Sequence, residues 1–242
     1  MRHNGFIPWD DDMDVCMLRP EYDKFVAYCN EHEEELYPFK LMSKYTADDY
    51  PFNLQRFFDT RFKMVKTDGL SDAGMGLFID IYPLDALGNV KNGAKKQIEK
   101  KKTFWMQCVG CAQSKNIMGT NKSFVKRLLR FPVYLYSHVK GTKYFLDKFD
   151  VLTNSYSYED SKYVGDLIWD NCVTYYEKEW FEDVEDIIFE GVKTKIPVQA
   201  KKVLEEEYGD YMTPPPEEER VPYHEYIICL LYTSPSPRDK RQ

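Results

Sequence analysis

Asp10, Asp11, Asp12 and Asp14 place four carboxylates within five positions, directly after Trp9 and directly before the apolar run Val15–Leu18. Like charges this close repel, and an ionised carboxylate entering a buried segment is costly without a partner. Three arrangements account for the cluster. A solvated acidic turn is the plainest, yet it leaves Asp14 unexplained at the threshold of a segment that should be buried. A calcium loop of the D-x-[DN]-x-[DN]-G-x5-E type accommodates Asp10, Asp12, Asp14 and Glu21. Its sixth position needs Gly for a sharp turn, and the chain has Val15 there. The third arrangement is a divalent-metal site on strand ends. Side chains at i and i+2 of a strand share a face, so Asp12 and Asp14 can serve one ion. The later stretch "FIDIYPLD" supplies a third acid, Asp80, between Ile79 and Ile81. Magnesium, with manganese as a substitute, would relieve the charge on all three and keep coordination positions for phosphate oxygens and water.

These acids need strands to hold them. Met13–Leu18 reads as a short strand, and Pro20 with Tyr22, Phe25, Val26 and Cys29 reads as a helix reaching about Glu35. Leu54–Asp59 and Arg61–Lys66 read as strands around a tight turn. Met75–Tyr82 is the strongest strand, nearly continuously apolar and ended by Pro83. Residues 91–148 are helical in pattern, with a kink expected at Pro132. Residues 163–168 and 187–196 read as further strands. Gln199–Tyr208 reads as a helix closed by Gly209, and the "TPPPEEER" stretch from Thr213 to Arg220 cannot prolong it. Strands and helices mix without strict alternation, which predicts an α+β (mixed α/β) fold, and no internal repeat is present.

Charge divides the chain. Residues 91–148 carry 14 Lys/Arg against Glu99 and Asp147, a net +12, which leaves −19 for the rest of a chain whose total is −7. The overall acidity argues against general nucleic-acid binding. The basic block suits an anionic acceptor or peripheral contact with a membrane surface. No apolar run approaches the ~20 residues of a membrane-spanning helix. Without a signal-peptide pattern, a cytoplasmic location is expected, extending to the inner face of the cell membrane. Cys108 and Cys111 form a lone CxxC without a second pair or suitably spaced histidines, so zinc is not indicated.

Both ends depart from the body. Cys229–Gln242, "CLLYTSPSPRDKRQ", changes character abruptly and resembles translated adapter sequence. The expected domain is therefore 1–228, with 229–242 a disordered tail. Met1 stands close before the most chemically loaded segment, as an internal methionine of a longer gene would.

The motifs "RHNGFIPWDDDMDV", "DTR" at Asp59–Arg61, "FIDIYPLD" and "YGDYMTPPPEEER" together resemble the LicD family of phosphocholine transferases, related to fukutin-type transferases and the nucleotidyltransferase superfamily. The resemblance implies a nucleotidyltransferase-like mixed sheet flanked by helices. It implies a metal site at Asp12, Asp14 and Asp80, a CDP-activated donor such as CDP-choline, and a sugar acceptor on a cell-surface glycan. That glycan is of teichoic-acid or lipopolysaccharide type, lipid-linked in some settings. Arg2, His3, Trp9 and Asp10 match the flanking motif, Arg61 matches the arginine of the D-T-R element, and His224 follows the proline-rich loop in a family-like position. Phe62 replaces the usual Thr of that element. The Gly-rich segment that precedes "RH" in such enzymes is missing here, as in an N-terminally truncated fragment.

In the reaction so implied, a sugar hydroxyl attacks the choline-bearing phosphorus and CMP leaves. Asp80 or Asp10 is the expected base, and Arg2 and Arg61 are expected on phosphate charge. For Arg61, a salt bridge to Asp59 is the competing expectation. Aromatic faces suit a quaternary ammonium, and Trp9 is the first choice, with Tyr82 and Trp169 behind it. A donor carrying another alditol, or a calcium- or glycan-binding module without catalysis, are the competing readings.

Overall fold

A computed structural model describes residues 2–3, 5–47, 50, 52–66, 74–114, 124–168, 172–222 and 226–231. His224 and Trp169 lie outside the described residues, as do residues 232–242. The architecture is α+β, as the mixed pattern predicts. Strand β1 (Asp14–Leu18) runs straight into helix α1 (Arg19–Glu31), which has Pro in its first turn, where a missing N–H costs nothing. The helix ends four residues earlier than its apolar pattern suggests, where the His32 amide donates to the Tyr28 carbonyl and turns follow.

Strands β2 (Phe39–Met42), β3 (Gln55–Asp59), β4 (Phe62–Lys66) and β5 (Leu77–Ala86) come next. The main sheet is built on β5. β1 pairs with it in parallel over Asp80–Leu84, and β3 pairs antiparallel over Leu77–Ile81. β6 (Tyr163–Asp166) pairs antiparallel over Leu84–Ala86, and β2 and β7 (Tyr176–Glu177) flank β3 and β6. Asp80 and Ile81 pair with both β1 and β3, so those strands lie on opposite edges of β5. Pro83 does not end β5, contrary to expectation. It pairs with Met17 on the β1 edge and falls between the β3 and β6 registers on the other, where a lost N–H breaks no ladder bond. Gly76, just before β5, allows the close approach to β3: a Cβ there would collide with the Asp59 carbonyl oxygen.

β4 leaves this sheet and pairs instead with β10 (Tyr226–Leu230). The domain boundary expected at 228 therefore falls inside a strand, with Cys229 opposite Lys63 and the Leu231 amide donating to the Arg61 carbonyl. The single strand expected over 187–196 is a hairpin of β8 (Val184–Phe189) and β9 (Val192–Pro197), turning at Glu190 and Gly191, both at positive φ.

The basic block forms α2 (Lys95–Gln113), α3 (Phe124–Lys140) and α4 (Thr142–Thr153), with Pro132 inside α3. α2 and α4 supply Ile98 and Leu152 to a core with Leu87, Tyr163, Leu167 and Tyr175. A second cluster, Leu84, Val164 and Tyr176, is covered by Trp180, Phe181 and Val203, the last from α5 (Ala200–Tyr208). A third, Met42, Tyr50, Phe58, Met64 and Met75, joins the main sheet to the β4–β10 pair. α5 ends at Gly209, at φ 66°.

Candidate active site

Parallel pairing of β1 with β5 sets Asp14 opposite Asp80, and antiparallel pairing of β3 sets Arg56 opposite Asp80 from the other edge. Register partners share a face. The row Asp14–Asp80–Arg56 thus crosses three adjacent strands on one side of the sheet. The Asp80 amide is fixed by the Met13 carbonyl at 3.1 Å.

Asp80 and Arg56 are both 5% exposed. Arg56 grips both Asp80 oxygens, Nε to Oδ1 at 2.5 Å and a terminal nitrogen to Oδ2 at 3.1 Å. The guanidinium lies 4.1 Å from the ring centres of both Phe52 and Phe78. This fork fixes geometry as well as charge. The relief of the buried Asp80 charge that the sequence leaves to an ion comes in the structure from Arg56, which no motif marks. An arginine alternating with phenylalanine in "LQRFFD" was the available signal.

Ahead of β1, Asp10, Asp11 and Asp12 each offer a carboxylate oxygen within 4.8 Å of the others. Among the described residues this is the group close enough to share an ion, and Asp12 is its member in common with the expected Asp12–Asp14–Asp80 set. Asp10 is exposed, yet partial desolvation by its neighbours raises its proton affinity, followed by a hydrogen bond to Asp12 and the charges of Asp12 and Asp11. Hard oxygen donors that repel one another at this spacing fit a divalent cation.

The acidic face is wider than the motif. Asp166 pairs with Leu84 and Cys16 with Tyr82, which puts Asp166 and Tyr82 on the Asp80 side. Burial holds the Tyr82 phenol well above its ordinary range, and the charges of Asp80, Asp14 and Asp166 push it further. α5 brings Glu207, which accepts a hydrogen bond from the Tyr176 hydroxyl, and Tyr208. Burial and then the charges of Glu207, Asp14 and Asp10 raise the Tyr208 phenol. Asp166 has a sequence signal, a carboxylate ending the strand "YVGD", but no motif marks it.

The flanking residues divide. An Arg2 terminal nitrogen donates to the Tyr211 carbonyl at 2.8 Å, and the His3 ring lies edge-on 5.9 Å from Trp9. The Arg220 guanidinium stands 5.3 Å from the Trp9 ring. The N-terminal segment and the proline-rich loop therefore meet beside the aspartates. Arg61 does not join them. Its backbone amide and guanidinium both bond Asp59, with Nε at 3.0 Å from Oδ1, at the end of β3 remote from Arg56. The salt bridge, the competing expectation, is what the structure contains.

A family model described as LicD/FKTN/FKRP, nucleotidyltransferase domain, matches residues 1–132. The lipopolysaccharide cholinephosphotransferase LicD of Haemophilus influenzae is 28% identical over 229 residues, covering 93% of this chain and 82% of that protein. No solved structure matches. The match spans β1 and β5, the two strands that set Asp14 against Asp80, and runs on through α2. The chain belongs to the LicD/FKTN/FKRP nucleotidyltransferase family.

Proposed function

We propose that this protein transfers phosphocholine from CDP-choline to a hydroxyl of a cell-surface glycan, of lipopolysaccharide or teichoic-acid type. The observation that carries the reading is the acidic row on β1 and β5 in a chain similar, over nearly its whole length, to a lipopolysaccharide cholinephosphotransferase. The acceptor oxygen forms a bond to the choline-bearing phosphorus, the bond from that phosphorus to the bridging oxygen breaks, and CMP departs with the electron pair. Asp10 takes the hydroxyl proton. It is exposed where an acceptor arrives, whereas Asp80 is buried with both oxygens held by Arg56. Asp80 then acts as a positioning residue that fixes Asp14 and the start of β5.

Asp11 and Asp12, with Asp14 beside them, are the residues that would hold Mg2+, which neutralises diphosphate charge when bound, and Asp10 beside them is left to take the proton. Trp9 already faces Arg220, so Tyr82 and Tyr208, near Asp14, take the aromatic role toward the trimethylammonium group. Arg2 lies on the same side as Trp9 and is the arginine for phosphate charge.

The test is CMP release from CDP-choline with a glycan acceptor and Mg2+. Asp12→Ala should lower turnover by at least about 100-fold, the scale of lost charge stabilisation in a preorganised site. Turnover that survives Asp12→Ala sinks the site, and turnover of a CDP-alditol but not CDP-choline sinks the donor.

A further inference from the structure

α3 is oriented backwards for a surface helix. Leu128, Pro132, Leu135 and Val139 are spaced by four, three and four residues, so they form one stripe. That stripe faces solvent: Leu128 is 64% exposed, Leu135 54% and Val139 75%. Leu129, Phe131 and Tyr136 beside it are exposed too. Ser137, on the opposite side of the helix, is fully buried where α3 packs on α2 and α4. A helix normally buries its apolar stripe and hydrates its serine. Here water meets six large apolar side chains in one continuous patch, a patch that marks an interaction surface.

Charge selects the occupant. The patch belongs to the +12 segment; exposed Lys140 is the last residue of α3, and exposed Lys143 follows in the first turn of α4. A second copy seated through its own α3 would set +12 against +12. An anionic glycan would answer the lysines and leave Leu128, Leu135 and Val139 in water. An anionic bilayer surface answers both, because its headgroups attract lysine while the acyl boundary accepts leucine, phenylalanine and tyrosine. No helix among the described residues is long and apolar enough to cross a membrane. We propose that α3 docks this protein onto an anionic lipid surface, lying in the headgroup plane with Leu128, Leu135 and Val139 inserted. This goes beyond the transferase reading and does not rest on it.

The full chain is sedimented with phosphatidylglycerol-containing vesicles and with pure phosphatidylcholine vesicles. Binding is expected to the first and to weaken with salt. Leu128→Gln/Leu135→Gln should weaken it by more than about tenfold, from lost apolar burial. Lys140→Gln and Lys143→Gln should each weaken it about fivefold. These side chains are exposed, so melting temperatures should stay unchanged. Failure to sediment with phosphatidylglycerol vesicles, equal binding by the leucine double variant, or a wild-type dimer abolished by Leu135→Gln would each overturn the proposal, the last in favour of a second copy.

Discussion

Strand β5 carries two buried aspartates that point to opposite faces of the sheet, each with an arginine, and the two pairs are built differently. Asp80 is held by Arg56 through both oxygens, and the guanidinium is clamped between Phe52 and Phe78. Asp85 is fully buried and receives one bond from Arg19, Nε to Oδ1 at 2.6 Å, while its Oδ2 has no hydrogen-bond partner among the described residues. Arg19 also divides its attention with Asp23 at 3.3 Å. Burial outweighs Arg19 and pushes Asp85 up to about 7. An adjacent cation delivering one bond is therefore not enough to hold Asp85 in the usual carboxylate range. The forked pair lies on the face proposed for chemistry, and the singly bonded pair lies on the other.

Removing Arg56 should have the largest effect. Arg56→Ala leaves Asp80 buried without its fork, and breaking a buried pair from one side costs about 3–5 kcal/mol. Denaturant unfolding measures it. Replacing both partners with apolar residues, Arg56→Met with Asp80→Leu, should recover most of that stability and leave CMP release abolished. Arg56→Ala costing less than about 1 kcal/mol would break the comparison, because Asp80 would then have no more need of its arginine than Asp85 has.

Asp85 should dominate a pH effect instead. Between about pH 4 and pH 7 the native state keeps a proton on Asp85 that the unfolded chain has released. Stability should therefore fall as pH rises through that window, with a slope approaching about 1.4 kcal/mol per pH unit. Above pH 7 the native group ionises as well, and the decline levels off. Asp85→Asn removes the titration, so its unfolding midpoint should be flatter than wild type from pH 4 to 7. Parallel slopes in the two proteins would assign the titration elsewhere.

The difference between the pairs also marks how far sequence could reach. Asp80 was legible because it breaks an apolar run, and the acids from Asp10 to Asp14 because they crowd against the start of one; the pairing of β1 with β5 places Asp14 opposite Asp80, but the grouping of Asp12 with Asp10 and Asp11 was not legible. α1 and α5 were legible from local signals, Pro20 at one start and Gly209 at one end. Arg56 and Arg19 were not, because a lone arginine in "QRF" or "LRP" reads as a solvated side chain until the partner strand is known. Pairing at long range hid in the same way. β4 reads as the return arm of a hairpin with β3, yet its partner β10 lies some 160 residues on. Arg61 was legible as a motif and still misplaced, since Asp59, two residues away, captures it.

The smallest expected effect discriminates best. Arg19→Met keeps much of the apolar length of the side chain and removes the single bond to Asp85. At pH 5 Asp85 is protonated in wild type, and without Arg19 it is more firmly so, since Arg19 is what lowers it. The ion pair then contributes little, and the loss should stay below about 1 kcal/mol, mainly the contact of Arg19 with the Tyr22 ring at 4.9 Å. Above pH 7 wild type ionises Asp85 against a charged partner, whereas the variant must keep it neutral or bury a bare charge. The loss should then grow to about 1–3 kcal/mol. A cost for Arg19→Met that is the same at pH 5 and pH 8 would mean that Asp85 stays charged throughout, and that one donor serves a buried carboxylate as well as the two on Asp80.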